Sequence, residues 1–231
     1  MGKHVVVDKP AFLTLKTTKS LLALAKKKRL LLAEATVFCY HEAFKKILSL
    51  SKRNKISNIM ASFSFPSLDH NNYRYSRELG GGALADLGPY AAAIGRFLFK
   101  SKPKKVICKI IEKDVNTGVD IAFSVMAIYS DSRSILGYFG FNSEYQNFIK
   151  CTGSDISIYL NRFISLPNNI DAKIEVTKQG DENEYLKRSD AFKNFLLSIE
   201  KAIKHSHFES FYQDILDDAI FRNSMEISTI K

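Results

Sequence analysis

The chain has 231 residues, 45% of them hydrophobic and 25% charged, enough to bury one large domain or one and a half smaller ones. Its net charge of +10 does not single out nucleic acid as a partner, because the basic residues are spread along the chain and accompany no zinc-finger, RNP or helix-turn-helix pattern. Cys39, Cys108 and Cys151 are too far apart for a metal motif or a disulfide framework and fit a reducing cytoplasm, and no apolar run is long enough to span a membrane.

In chain order, "HVVVD" (4–8) reads as a buried parallel strand. "TTKSLLALAKKKR" follows as a Thr-capped helix with Thr18, Leu21, Leu22 and Ala25 on one stripe and cations complementing its C-terminal dipole. "LLLAEATVF" (30–38) reads as a second apolar strand. Residues 1–38 are therefore predicted to form a βαβ unit with parallel strands, which needs further strands and helices to cover it. From residue 56 the pattern turns to period two: "KISNIMASFSF", "KKVICKIIEK", "VDIAFSVMAIYS", "SILGYFGFN", "YQNFIKCTG" and "ISIYLN" are predicted as an antiparallel meander. A glycine-rich helix interrupts it after the first strand, and two helices close the chain. The expected architecture is thus an α/β chain, with an incomplete Rossmann-like unit at 1–38 followed by an α+β domain at 39–231 built on a mainly antiparallel, open-faced sheet.

Within "GGGALADLGPYAAAIGRFLF" (80–99), Gly80, Gly82 and Ala85 satisfy the spacing of a dinucleotide loop. The context does not: polar "NNYRYSREL" precedes them instead of a buried strand, and "SKPKK", about 20 residues on, offers no carboxylate for a ribose. The glycines are expected instead to let backbone approach a substrate and to start a helix that presents Asp86 and Tyr90 one turn apart on one face.

"GKHVVVDKPAFLTLKTTKSLLALAKKKRLLLAEATVFCYHEAF" and "YRYSRELGGGALADLGPYAAAIGRFLF" together resemble the Gfo/Idh/MocA oxidoreductases, in the branch that includes dihydrodiol and xylose dehydrogenases. Members of that family carry most of a Rossmann domain, with its glycine loop, in front of the stretch matched here. The resemblance implies hydride transfer at a carbinol or keto carbon of a sugar or sugar nucleotide, with NAD or NADP as cofactor. It places Lys9, Asp86 and Tyr90 in the catalytic positions, Gly81, Gly82 and His41 against the substrate, and Lys9 with Pro10 on the cofactor side. No metal is implied. Lys9 is expected to steady a Tyr90 phenolate. Read without the family, Lys9 is also a plain strand-end lysine, Asp86 a helix cap and Tyr90 a core residue, and His41, at a helix start, is structural.

The chain departs from the branch at Asp8, Cys39 and Glu42, where Glu, Arg and Pro are usual. Because the phosphate-binding loop is missing, weak or absent dinucleotide binding is expected of this chain alone. A non-catalytic carbohydrate-binding or dimerisation module derived from the family is the alternative reading. Both faces of "VDIAFSVMAIY" are apolar, and helices cover only one. A homodimer through the free sheet face is therefore predicted, with Phe123→Lys as its test.

Overall fold

The computed structural model describes residues 2–178 and 181–229. Strand β1 (Val5–Val7), helix α1 (Leu15–Lys28) and strand β2 (Leu32–Glu34) form the anticipated unit, with β1 and β2 paired in parallel from Val5 opposite Leu32 to Val7 opposite Glu34. The helix starts earlier than predicted: Thr14, not a threonine of the Thr17–Thr18 pair, caps it by accepting from the Thr17 N–H. The second strand is shorter than predicted, because residues 37–40 turn into a 3-10 helix that leads to α2 (Glu42–Arg53).

Eight strands build the main sheet: β3 (Asn58–Ser64), β4 (Lys105–Lys113), β5 (Asp120–Ile128), β6 (Ser134–Gly140), β7 (Gln146–Thr152), β8 (Ser157–Asn161), β9 (Ala172–Thr177) and β10 (Asp181–Leu186). Helix α3 (Ala83–Phe99) separates β3 from β4, and α4 (Ala191–His205) and α5 (Glu209–Thr229) close the chain. The order across the sheet is β10-β9-β8-β7-β3-β6-β5-β4. It is not the meander predicted. Strand β3 lies between β6 and β7, antiparallel to β7 but parallel to β6, so two strands consecutive in sequence are held apart by one made much earlier. Alternation tells which face a side chain takes and is silent about the neighbouring strand.

One face of the sheet is covered. Ile121, Phe123, Val125, Ala127, Ile135, Phe139 and Phe141 lie beneath the helices at 7% exposure or less. Helix α3 lies close on this face because its inner side is Ala91, Ala92, Ala93 and Gly95, and a Cβ on Gly95 would collide with the Tyr129 hydroxyl. A second apolar cluster joins Leu22, Leu31 and Leu32 to Phe195, Ile199, Phe211 and Ile215, so one side of the βαβ unit is buried against α4 and α5, whereas β1, predicted to be buried, leaves Val5 and Val6 46% and 44% exposed. The opposite sheet face stays open and carries Met60, Ile107 and Leu136, each more than 40% exposed. Phe123, proposed from the sequence as a probe of the free face, is on the covered one with no exposure.

Candidate active site

The edge of the sheet where β3 and β6 end and β5 and β7 begin also receives the N-terminus of α3 and the turn after β1. Lys9 lies in that turn, joined to Pro10 by a cis peptide bond. Its ammonium donates to both the backbone carbonyl and the carboxylate of Asp86, at 2.6 and 2.7 Å. Lys9 Nζ stands 4.7 Å from the centroid of the Tyr90 ring. Asp86 and Tyr90, four residues apart on α3, therefore do face the same lysine, and the three residues singled out from the sequence come together. Tyr90 is half-buried, edge-on to Phe38 and Phe63 at 5.9 and 5.6 Å between ring centroids.

A fourth residue completes the cluster. Arg74, from the polar segment before the glycines, donates through Nε to the other oxygen of Asp86 at 2.7 Å. Nothing in the composition of "NNYRYSREL" marks it, since its partner lies beyond a turn whose course alternation does not predict.

Charge follows geometry here. Burial by itself pushes the Asp86 carboxyl up, but the Lys9 ammonium and the Arg74 guanidinium outweigh it and hold the carboxyl below its ordinary range. Burial opposes the charge on Lys9, and Tyr90 and Asp86 together raise its pKa above the usual value in spite of that. Burial also raises the Tyr90 phenol, and Lys9 only partly offsets the effect while Asp86 adds to it. The expected lysine-stabilised phenolate is thus not what this arrangement favours: Asp86 claims the ammonium, and Tyr90 keeps its proton.

The turn bearing Lys9 is fastened from beneath by two buried charged residues. Glu34, the one carboxylate of the apolar "LLLAEATVF" run, is 8% exposed and accepts from the Ala11 N–H at 2.7 Å and the Thr36 hydroxyl at 3.0 Å. Arg222 on α5 donates to the Phe12 carbonyl at 2.9 Å. An acidic residue in an otherwise apolar strand is the sequence signal for Glu34, because a carboxylate is buried only where donors meet it.

Gly81, Gly82 and His41, read from the sequence as substrate contacts, find partners inside the chain. A Cβ on Gly81 would run into the carbonyls of Tyr73 and Arg74, and one on Gly82 would come within 2.6 Å of the Asp120 carboxylate. The close approach these glycines permit is to their own chain. Gly82 also has φ +119°, which side chains rarely tolerate. His41 is 3% exposed, with Nδ1 accepting from the Ala43 N–H to cap α2. Pro10 is half-buried beside Lys9. A cleft of about 550 Å³ between α3 and α5 is lined by Arg96, Tyr129 and Asp214 and by none of the four clustered residues.

Residues 41–159, more than half of the chain, match the GFO/IDH/MocA C-terminal domain. The chain belongs to the GFO/IDH/MocA family. A dTDP-3,4-didehydro-2,6-dideoxy-alpha-D-glucose 3-reductase of Saccharopolyspora spinosa is 32% identical over 187 residues, which cover 79% of this chain and 55% of the reductase. A trans-1,2-dihydrobenzene-1,2-diol dehydrogenase of Xenopus laevis is 30% identical over 58% of this chain and 41% of its own length. The GFO/IDH/MocA fold is equally plain in three dimensions. KijD10, a 3-ketoreductase from Actinomadura kijaniata solved with NADP and TDP-benzene, superimposes with a TM-score of 0.90 at 21% identity, covering 99% of this chain and 71% of that one. The chain therefore spans little more than half the length of the curated reductase it resembles.

Among the described residues, no helix is long and apolar enough to cross a membrane. The glycines of the 80–82 turn pack on their own chain, the Leu84 N–H at the start of α3 donates to Asp120, and the N-terminus of α1 is capped by Thr14.

Proposed function

We propose that this chain supplies the substrate side of a sugar-nucleotide oxidoreductase site, in which Tyr90 and Lys9 manage the proton of a carbinol–carbonyl pair. The observation that carries this reading is the convergence of Lys9, Asp86 and Tyr90 at one sheet edge. Reduction of a ketone places negative charge on its oxygen. A phenol within reach can donate the proton, and an ammonium beside it steadies the charge as it forms. The Tyr90 phenol, with its pKa raised, arrives protonated at neutral pH, which favours the reducing direction. Asp86, held by Arg74, fixes the lysine. After the phenol has given its proton to the alkoxide, Lys9 stabilises the phenolate until water restores the proton. The names of the relatives support a keto-sugar nucleotide as the substrate class. We assign residues 1–38 to the cofactor side and 39–231 to the substrate side, with the open sheet face pairing two copies. The three buried, unbridged thiols suit a cytoplasmic setting.

The reading is tested by reduction of a dTDP-linked 3-keto sugar at several millimolar NADPH. Tyr90→Phe is expected to lower kcat about 100-fold or more while KM stays within a few-fold, the loss typical of a missing proton donor. A Tyr90→Phe rate equal to the unaltered protein's would overturn the assignment. Nicotinamide fluorescence is expected to report NADPH binding no tighter than about millimolar, a free energy of about −4 kcal/mol, and micromolar binding would contradict that. The packing of the 80–82 glycines against their own chain favours a second reading, a sugar-nucleotide-binding module without catalysis, which predicts binding with no turnover.

A further inference from the structure

Beside the catalytic cluster lies a second group of residues for which the proposed chemistry has no use. Phe63 on β3 stands between two tyrosines, edge-on to Tyr90 and, at 6.4 Å and 89°, to Tyr145. Tyr145 is 42% exposed, yet its hydroxyl is fixed. Asn147 Nδ2 donates to it at 3.0 Å, and it shares a hydrogen bond with Ser165 Oγ at 3.1 Å. Asn147 itself is 2% exposed, donates to Ser165 Oγ at 2.9 Å and accepts from the Ile164 N–H at 3.2 Å. A buried amide thus holds an exposed ring in one orientation.

Arg162 adds a cation to that ring. Its backbone is left-handed, with φ 56°. Arg29, Lys100 and Ser206 share that conformation where they cap α1, α3 and α4, whereas Arg162 follows a strand and caps no helix. Such a conformation costs a non-glycine residue on the order of 1 kcal/mol, and Arg162 adopts it in the turn that follows β8. Here it brings the guanidinium to 5.8 Å from the centroid of the Tyr145 ring. Among the described residues, no carboxylate lies within ion-pair distance of Arg162.

We infer that Tyr145 and Arg162 form the nucleotide-diphosphate subsite of this cleft. The guanidinium pairs with the diphosphate in the forked geometry that suits phosphate oxygens, and the fixed ring packs on the nucleoside. Phe63 floors the passage between them and Tyr90, so a ligand gripped at Tyr145 presents its sugar to Lys9 and Tyr90. The inference rests on the sugar-nucleotide reading above and names which end of the ligand this end of the cleft receives.

The probes are dTDP and thymidine, titrated separately into the full chain by calorimetry. Arg162→Gly removes the guanidinium and relieves the left-handed strain, so it folds at least as well as the parent. It is expected to weaken dTDP at least tenfold and leave thymidine unchanged. Tyr145→Ala is expected to weaken both ligands, and Tyr145→Phe to restore the ring contact. In turnover, Arg162→Gly is expected to raise KM with kcat unchanged, the reverse of Tyr90→Phe. A purely structural Arg162 predicts a stabilised variant with unaltered dTDP affinity, and that result would overturn the subsite, as would no dTDP binding by the parent chain at millimolar concentration. Binding of dTDP through these residues without reduction of any keto sugar would leave the subsite standing and remove the reaction assigned above.

Discussion

Asp86 divides its two oxygens between Lys9 and Arg74 and is itself only 7% exposed. Replacing it by alanine leaves the Lys9 ammonium and the Arg74 guanidinium without their shared carboxylate, with an expected loss of about 1–3 kcal/mol of stability for groups left unpaired. The pH dependence has a definite sign. The folded-state pKa lies below 3.8, so as pH falls through the acid range the unfolded chain takes up the Asp86 proton first and stability is lost. Asp86→Asn is expected to flatten that acid limb, measured by urea unfolding from neutrality to strongly acid pH. Glu34 acts on the same lysine from a distance, through the Ala11 N–H. Glu34→Ala is expected to speed amide exchange at Ala11 and to cost about 2 kcal/mol for the donors left without an acceptor, while Glu34→Gln retains an acceptor and most of the stability. An unchanged exchange rate in Glu34→Ala would show that the turn holds itself. Sequence reading singled out Lys9 through its motif, and Asp86 and Tyr90 through a motif and a shared helical face. It missed Arg74 and Arg222 because their partners are distant in sequence and no periodicity connects them.

Helices α3 and α5 are joined by a buried ion pair, in which Arg96 donates to both oxygens of Asp218 at 2.7 and 2.9 Å. Asp218 is 1% exposed, and Asp214 adds a 3.0 Å contact to the same guanidinium. Asp218→Ala is expected to cost about 3–5 kcal/mol, because it leaves a buried charge uncompensated, and replacing Arg96 and Asp218 together by apolar residues is expected to return much of the loss. Chemical denaturation of the two variants checks both statements. At this scale the sequence was readable where one face of an element is apolar: the buried stripe of α1, the inner residues of β5 and β6, and the cationic end of α1 are where periodicity put them. Strand β9 alternates as cleanly, with Ala172, Ile174 and Val176 buried and Lys173 and Glu175 outside, so its period-two signal was present in the sequence and went unread. Strand β10 has no such signal at all in "DENEYL" and exists because β9 offers it an edge.

Across the whole molecule, the open face of the sheet gathers Met60, Ile107, Leu136 and the half-buried Met126, Tyr138 and Phe148 around one shallow depression. A two-fold contact of the usual size, roughly 1,600 Å² in total or about 800 Å² from each copy, would cover this surface on both copies of a symmetric pair. Sedimentation is expected to find a homodimer at tens of micromolar, and Leu136→Lys, on the free face, to convert it to a monomer; a monomeric parent chain would refute the pairing. The two-cluster construction bears on the order in which the chain can fold. Val7, Leu22, Leu31 and Leu32 are made well before the rings that bury them, Phe195, Phe208, Phe211 and Tyr212. Throughout synthesis the βαβ unit therefore travels with its apolar side uncovered. The same helix that shelters it, α5, carries the arginine that fastens the Lys9 turn. On the reading proposed above, a nascent chain holds Lys9 long before it can aim it, because the turn is fastened only once α5 has been made.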